Sequence, residues 1–411
     1  MPDDEGRAPE LAQPEVSRFL ADFAELMLAG SAEGVHLVRD AIIGAGSCYG
    51  VQARLLLLAD QLLLAVTEDG FTTTQVIKAA PGLSLDRIEN AKVLGNRIRE
   101  GMPLEQAREQ LEGIRTAPPP YPWWLRVIGV VLFSAGFAPS VVPTGSEVII
   151  AVALGLVIGT LFVTATGRYW EPLLPLAGSF VIGCLTLTVF YGTAAKVGPV
   201  LLMIPALFVV IPGDYLSAAV GELAVGRISA GSARLVWAVF LLAQLIVGVE
   251  LAAQVTGKGR TSLYAGSAPG TLPFWVIVLA WIPFSLGLAW AFNASVRNVP
   301  LIAVLVVGTF LVYSGVAAVG GDLLATLLAG AAAGAASALL ARSPRRPPRL
   351  ELSLGPFFTL TVGSLGLRGV TELISGDVIT GAHDLAAFVL IFPTVAFGLL
   401  AGFLLAAPGD S

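Results

Sequence analysis

"LLMIPALFVVIPGDYLSAAVGE", residues 201–222, decides how the chain is read. Residues 200–211 are apolar enough for a bilayer, yet Pro212 and Gly213 interrupt the helix and Asp214 sets a carboxylate beside the interruption. Backbone freed by a break in hydrocarbon must find partners in protein or in a water-lined cavity. A carboxylate at membrane depth is costly and faces a bundle interior. One reading makes Asp214 part of a polar site at the end of a half-helix. The other ends the helix at Ile211 and uses Asp214 to cap an interfacial helix, DYLSAAVGELAVG.

Composition supplies the setting. The 411 residues are 55% hydrophobic and 13% charged, against about 25% charged in soluble domains. This is the composition of a polytopic membrane protein, with lipid as its surroundings. The net charge of −5 and the absence of a basic run give no reason to expect nucleic acid as a partner. Cys48, Cys184, His36 and His383 lack partner spacing, so neither a disulfide, a metal nor a cofactor is expected. Residues 1–15 are acidic and Pro-rich, without the apolar core of a secretory signal, and read as a disordered cytoplasmic start.

Charges are frequent before residue 117 and sparse after it. Residues 16–116 read as a small cytoplasmic α/β domain. Helical periodicity runs through SRFLADFAELMLAG and AEGVHLVRDAIIGAG. Three short strands follow in ARLLLLAD, QLLLAVTED and FTTTQVIKA, then two helices opening at Ser84 and Pro103. A Pro-rich linker, 117–122, leads to Trp123 and Trp124 as an aromatic anchor. Beyond it come ten apolar runs, at 123–142, 147–166, 172–191, 197–216, 233–255, 272–292, 300–319, 322–341, 354–375 and 384–406. Each is long enough to cross about 30 Å of hydrocarbon. With the N-terminus inside, the inner loops hold Arg168, Arg227, Arg234, Arg297, Arg342, Arg345, Arg346 and Arg349, and the outer loops only Lys196, Lys258 and Arg260. That bias predicts both termini in the cytoplasm.

The ten runs divide into two sets of five, 123–256 and 272–406. PWWLRVIGVVLFSAGFA (122–138) aligns without a gap on PFWVIVLAWIPFSLGLA (273–289), matching Phe133 to Phe284, Ser134 to Ser285 and Gly136 to Gly287. LVIGT (156–160) resembles LVVGT (305–309), and Gly198-Pro199 and Gly355-Pro356 each open a fourth run. Five is odd, so a second copy enters the membrane from the opposite side. The predicted fold is ten transmembrane helices in two inverted repeats, a plan shared by many secondary transporters.

The Pro212-Gly213 break corresponds within one residue to Arg368-Gly369, with Glu372 one turn on. A zwitterionic amino acid needs an acceptor for its ammonium and a donor for its carboxylate. Asp214 and the bidentate guanidinium of Arg368 are the substrate-contact candidates, with Pro212, Gly213 and Gly369 shaping the break. An ion pair of Arg368 with Glu372 or Asp214 that merely holds helices is the alternative. Glu250, with Gln244 on the same run, is the candidate proton carrier, or else a residue near the outer interface. Glu372 is grouped with them, and Glu147 and Asp322 read as helix caps. TGKGRTS (256–262) lacks the first glycine of a phosphate loop, Ala252 standing there, and no Ser/His/Asp or Cys/His constellation supports catalysis. Gly330 and Gly334 have the small-xxx-small spacing of ordinary close helix packing. A homo-oligomer is left open as a partner state, alongside lipid, protons and a small amino acid.

The linker LEQAREQLEGIRTAPPPYPWWLR (104–126) and the segment LFVVIPGDYLSAAVGELAVGRISAGSARL (207–235) resemble the threonine/serine exporter family of bacterial inner-membrane proteins. GSAEGVHLVRDAI (30–42) and GLSLDRIENAKVLGNRIREG (82–101) resemble that family's N-terminal domain. The resemblance covers the chain from about residue 17 onward. It implies export of small hydroxy amino acids by exchange with protons, and relatives split into two chains near 260–270. It also leads one to expect a second Pro-Gly where this chain has Arg368-Gly369. The family's N-terminal domain has been likened to hydrolases, but residues 16–115 hold no nucleophile–base pair, so no catalysis is assigned. Another small-metabolite transporter, or a membrane-anchored sensor or enzyme acting through the N-terminal domain, stands as the alternative.

Overall fold

Helices α1 (Glu15–Ala29) and α2 (Val35–Cys48) precede strands β1 (Gln52–Leu57), β2 (Gln61–Glu68) and β3 (Phe71–Lys78); α3 (Leu85–Arg99) and α4 (Leu104–Thr116) follow. The computed structural model describes residues 15–29, 35–57, 61–68, 70–78, 84–142, 144–190, 197–224, 227–258, 272–343, 346–360 and 378–406. The strands form an antiparallel meander, β1-β2-β3, with Leu64 opposite both Leu55 and Gln75. Alternation turns Leu62, Leu64 and Val66 of β2 into one core with Phe19 and Phe23 of α1.

α3 belongs to two cores. Its Ala91, Leu94 and Ile98 pack with the sheet and α1, while Leu85 and Ile88 at its start pack with the membrane helices. Burying each of those two side chains contributes about 1.5–3 kcal/mol. The first N–H groups of any helix lack an intrahelical acceptor. Here Leu85 N donates to Phe292 O and Asp86 N to Asn293 O, both at 3.0 Å. Asn293 adopts φ 58°, a left-handed conformation asparagine tolerates. Farther along α3, Lys92 Nζ donates to Ala341 O at 2.7 Å and Arg346 O at 3.0 Å. In the linker, the Tyr121 hydroxyl donates to Ala294 O at 2.7 Å and accepts from Val296 N at 3.1 Å. The N-terminal unit is therefore docked on two loops late in the chain, around 292–298 and 341–347.

After the linker come α5 (Trp123–Phe137), α6 (Gly145–Ala165), α7 (Leu174–Leu185), α8 (Pro199–Leu207), α9 (Gly213–Ala224), α10 (Ile228–Val255), α11 (Phe274–Ala291), α12 (Val299–Ala341), α13 (Arg349–Thr359) and α14 (Val378–Leu405). Among the described residues, six helical stretches are long and apolar enough to cross a membrane. The expected runs differ from these for physical reasons. The fourth is cut at Pro212, leaving the short apolar helix Pro199–Val210. The seventh and eighth follow one another within the single apolar stretch Val296–Ala341, as two helices divided at Gly321. Its 46 residues would extend about 69 Å at 1.5 Å each, twice a bilayer core. Gly321, at φ 78° and ψ 170°, kinks it where the sequence divides the two runs. Residues 361–377, most of the ninth run, lie outside the described residues.

α5 and α11 cross antiparallel with their backbones in contact. A Cβ at Gly136 would stand 2.5 Å from Phe284 N and 2.6 Å from Ala280 O. A Cβ at Gly287 would overlap Phe133 N and stand 2.6 Å from Gly129 O. In the 122–138/273–289 alignment these two contact sets are the same set with the helices exchanged. Gly129, early in α5, meets Trp290 and Ala291 at the end of α11, which fixes the direction. A second recurrence lies farther out. α7 packs on α10 with Gly183 against Ala252, and the later part of α12 packs on α14 with Gly330 against Gly398.

Leucine at Gly136 or Gly287 overpacks this crossing, which costs about 1–3 kcal/mol or more. Gly136→Leu and Gly287→Leu are expected to lower the thermal midpoint of the purified protein in detergent by several degrees. Gly308, where an added methyl would meet nothing within 4 Å, is the control: Gly308→Ala should leave the midpoint within a degree or two or raise it.

Candidate functional site

α8 is short because its sequence cannot continue. Pro205 removes a donor within it, the chain tightens to a 3-10 turn at Phe208–Val210, and Ile211 is extended at φ −71° and ψ 127°. Pro212 then opens α9: Leu216 N donates to Pro212 O at 3.1 Å, and Gly213 N turns back to Ile211 O at 2.8 Å. Ile211, Pro212 and Gly213 are all buried. The break thus lies inside protein, as unpaired backbone at membrane depth requires.

Its walls are aromatic. Glycine at 213 allows close approach, since a Cβ there would stand 2.7 Å from Phe357 Cε1 and 3.3 Å from Phe358 Cε1. Phe208, just before the break, stacks on Phe137 with centroids 3.8 Å apart and lies 5.2 Å from Phe358. Phe133 joins Phe284 at 4.5 Å and Phe358 at 5.3 Å. Rings from α5, α11 and α13 and from the turn after α8 therefore form one cluster where the two five-run sets meet.

Of the sequence candidates, Pro212 and Gly213 form this break, against α13 of the second set. Asp214 is the second residue of α9, and its side chain is not among those described. Arg368, Gly369 and Glu372 lie outside the described residues. Gln244 and Glu250 are both buried on α10, at 7% and 8% exposure. Glu147 does cap α6: its Oε2 accepts from Thr144 N at 3.1 Å and Thr144 Oγ1 at 2.9 Å. It does more than cap, because its Oε1 accepts from Val197 N at 3.2 Å, just ahead of α8. Asp322 follows the Gly321 kink and accepts from the Tyr313 hydroxyl at 3.1 Å.

Three buried polar residues on α9, α10 and α13 are not proposed as site residues by the sequence. Glu222 of α9 pairs with Arg234 of α10 at 3.5 Å, the side chains only 6% and 7% exposed. Arg234, counted with the inner-loop arginines by the sequence, is a residue of α10, which begins at Ile228. Glu351, fully buried in the first turn of α13, accepts from Asn298 Nδ2 at 2.8 Å. A carboxylate preceding an apolar run, as in RLELSLGPFF, is a readable signal for such a position.

Residues 18–256 match the family ThrE, described as "Putative threonine/serine exporter". The match covers more than half of the chain and includes the N-terminal unit, the break, Glu222, Arg234 and Glu250. No curated protein and no solved structure matches the chain.

Removing one partner of a buried ion pair costs about 3–5 kcal/mol, whereas replacing both with apolar residues is often neutral. Glu222→Ala is therefore expected to lower the thermal midpoint sharply, and the double variant Glu222→Met/Arg234→Met to recover most of the loss.

Proposed function

Because the chain belongs to the threonine/serine exporter family, we propose that this multi-pass membrane protein exports small amino acids, threonine and serine foremost, in exchange for protons. Its place is the bacterial inner membrane, with both termini in the cytoplasm. The architecture is ten spans in two inverted five-helix units, 123–256 and 272–406, preceded by a cytoplasmic unit over 16–116.

The observation that carries the reading is the buried break at 211–213, pressed against α13 of the other set. Interrupted helices at a repeat interface are where secondary transporters hold substrate, with helix N-termini facing anionic groups. α9 begins at this break. Asp214 accepts the substrate ammonium there and Arg368 grips its carboxylate. Gly213 and Gly369 let backbone approach the ligand, and Pro212 keeps the helix open. Glu250, with Gln244 and Glu372, carries the coupled proton. The exchanged contact sets of α5 and α11 support the inverted repeat. So does the recurrence of third-on-fifth packing in both sets.

The competing idea, an enzyme or sensor merely tethered to the membrane, fits the docking of α3 less well. That helix shares its hydrophobic side chains between both cores.

Cells overproducing the protein and preloaded with a threonine-containing dipeptide are expected to release threonine several-fold faster than controls, and an uncoupler to abolish the gain. Asp214→Asn and Arg368→Gln should each cut the initial rate at least about tenfold, the scale of losing one charge-assisted contact to a charged ligand, with membrane abundance unchanged. Normal transport by both variants removes these residues from the site.

A further inference from the structure

In each set of helices, one buried carboxylate joins the start of the second helix to the start of the fourth. In the first set Glu147, the third residue of α6, reaches Val197 N at 3.2 Å, two residues before α8. In the second set Asn298, immediately before α12, donates from Nδ2 to Oε1 of Glu351, the third residue of α13, at 2.8 Å. Both carboxylates are 0% exposed. The carboxylate sits on the second helix in one set and on the fourth in the other, yet the elements joined are the same.

The two tethers lie at opposite ends of the bundle. α5 runs away from the N-terminal unit, and Glu147 follows its far end. Asn298 and Glu351 lie at the near end, beside the loops on which α3 docks. There Asn298 Nδ2 is also 3.3 Å from Glu89 Oε2 of α3. A primary amide carries two N–H donors on one nitrogen, so a single asparagine serves both carboxylates.

We propose that these tethers are the two end closures of the transport cycle, released in alternation, and that Glu89 is a positioning residue through which the N-terminal unit holds the near closure shut. The inference rests on the exporter reading above. α8 leads into the break at 211–213 and α13 packs against it, so freeing the start of either helix from the second helix of its set opens that end of the bundle. Each closure is one buried hydrogen bond from an N–H group to a glutamate side-chain oxygen. Closures of the same chemistry at both ends keep the two states close in energy, where a modest difference shifts the population. Glu89 supplies such a difference at one end only.

The test uses the full-length protein with Cys48→Ser and Cys184→Ala, in proteoliposomes. Val197→Cys reports on the far end and Leu350→Cys on the near end; both positions are buried, and the Val197 N–H survives the change. The rate of labelling by a polar maleimide is read at each. Glu147→Gln is expected to speed labelling at Val197→Cys about tenfold or more and slow it at Leu350→Cys. Asn298→Ala, and more weakly Glu89→Gln, should do the reverse. Glu89→Gln keeps the near-end arm if Asn298→Ala does not fold. General damage would speed both reporters together; that result, or no change at either, overturns the proposal. Opposed changes in a protein that carries neither threonine nor serine would keep the closures and reject the exporter reading.

Discussion

Helix ends govern this molecule. An α-helix leaves four N–H and four C=O groups without partners at its termini, and hydrocarbon offers no water to take them. The chain answers the demand by bringing one element's end to another's. The start of α3 is met by carbonyls of 292 and 293, and the end of α12 by the Lys92 ammonium. The approach to α8 is met by Glu147. The break at 211–213 is met by its own tight turn and shielded by phenylalanine rings. Each solution but the last ties segments distant in sequence, so the same constraint that forbids loose ends assembles the bundle.

Within that frame, glycine sets how near the helices come. At the α5–α11 crossing a side chain of any size would meet backbone from the other helix. Lipid gives little hydrophobic drive for helices to associate, and such close backbone contact supplies dispersion in its place. The matching glycines make the crossing a contact between the first helices of the two sets. The exchanged contacts are the geometry expected when two copies of a unit meet across a twofold axis.

Much of this is legible in the residues. The three strands fall within a few residues of their expected places because alternation and turn residues mark them locally. The kink at Gly321 is legible as the seam between two apolar runs. The capping role of Glu147 follows from its place in the first turn of an apolar helix. Its grip on Val197 does not, because nothing near residue 147 says what lies beside it in space. The docking of α3 is equally hidden. Leu85 and Ile88 sit on an ordinary amphipathic pattern, and periodicity tells that a face is covered without telling by what. An arginine near the start of an apolar run, such as Arg234, looks like a loop charge until its partner, Glu222, is found one helix away.

The phenylalanine cluster between the two sets has an electrical consequence. Phe133, Phe137, Phe208, Phe284 and Phe358 are packed ring on ring and almost fully buried. Rings packed to crystal-like density leave few voids large enough for water between them. A membrane that stores energy as a voltage tolerates very few leaks. These rings lie where an insulating gasket beside the interrupted helix would have to sit.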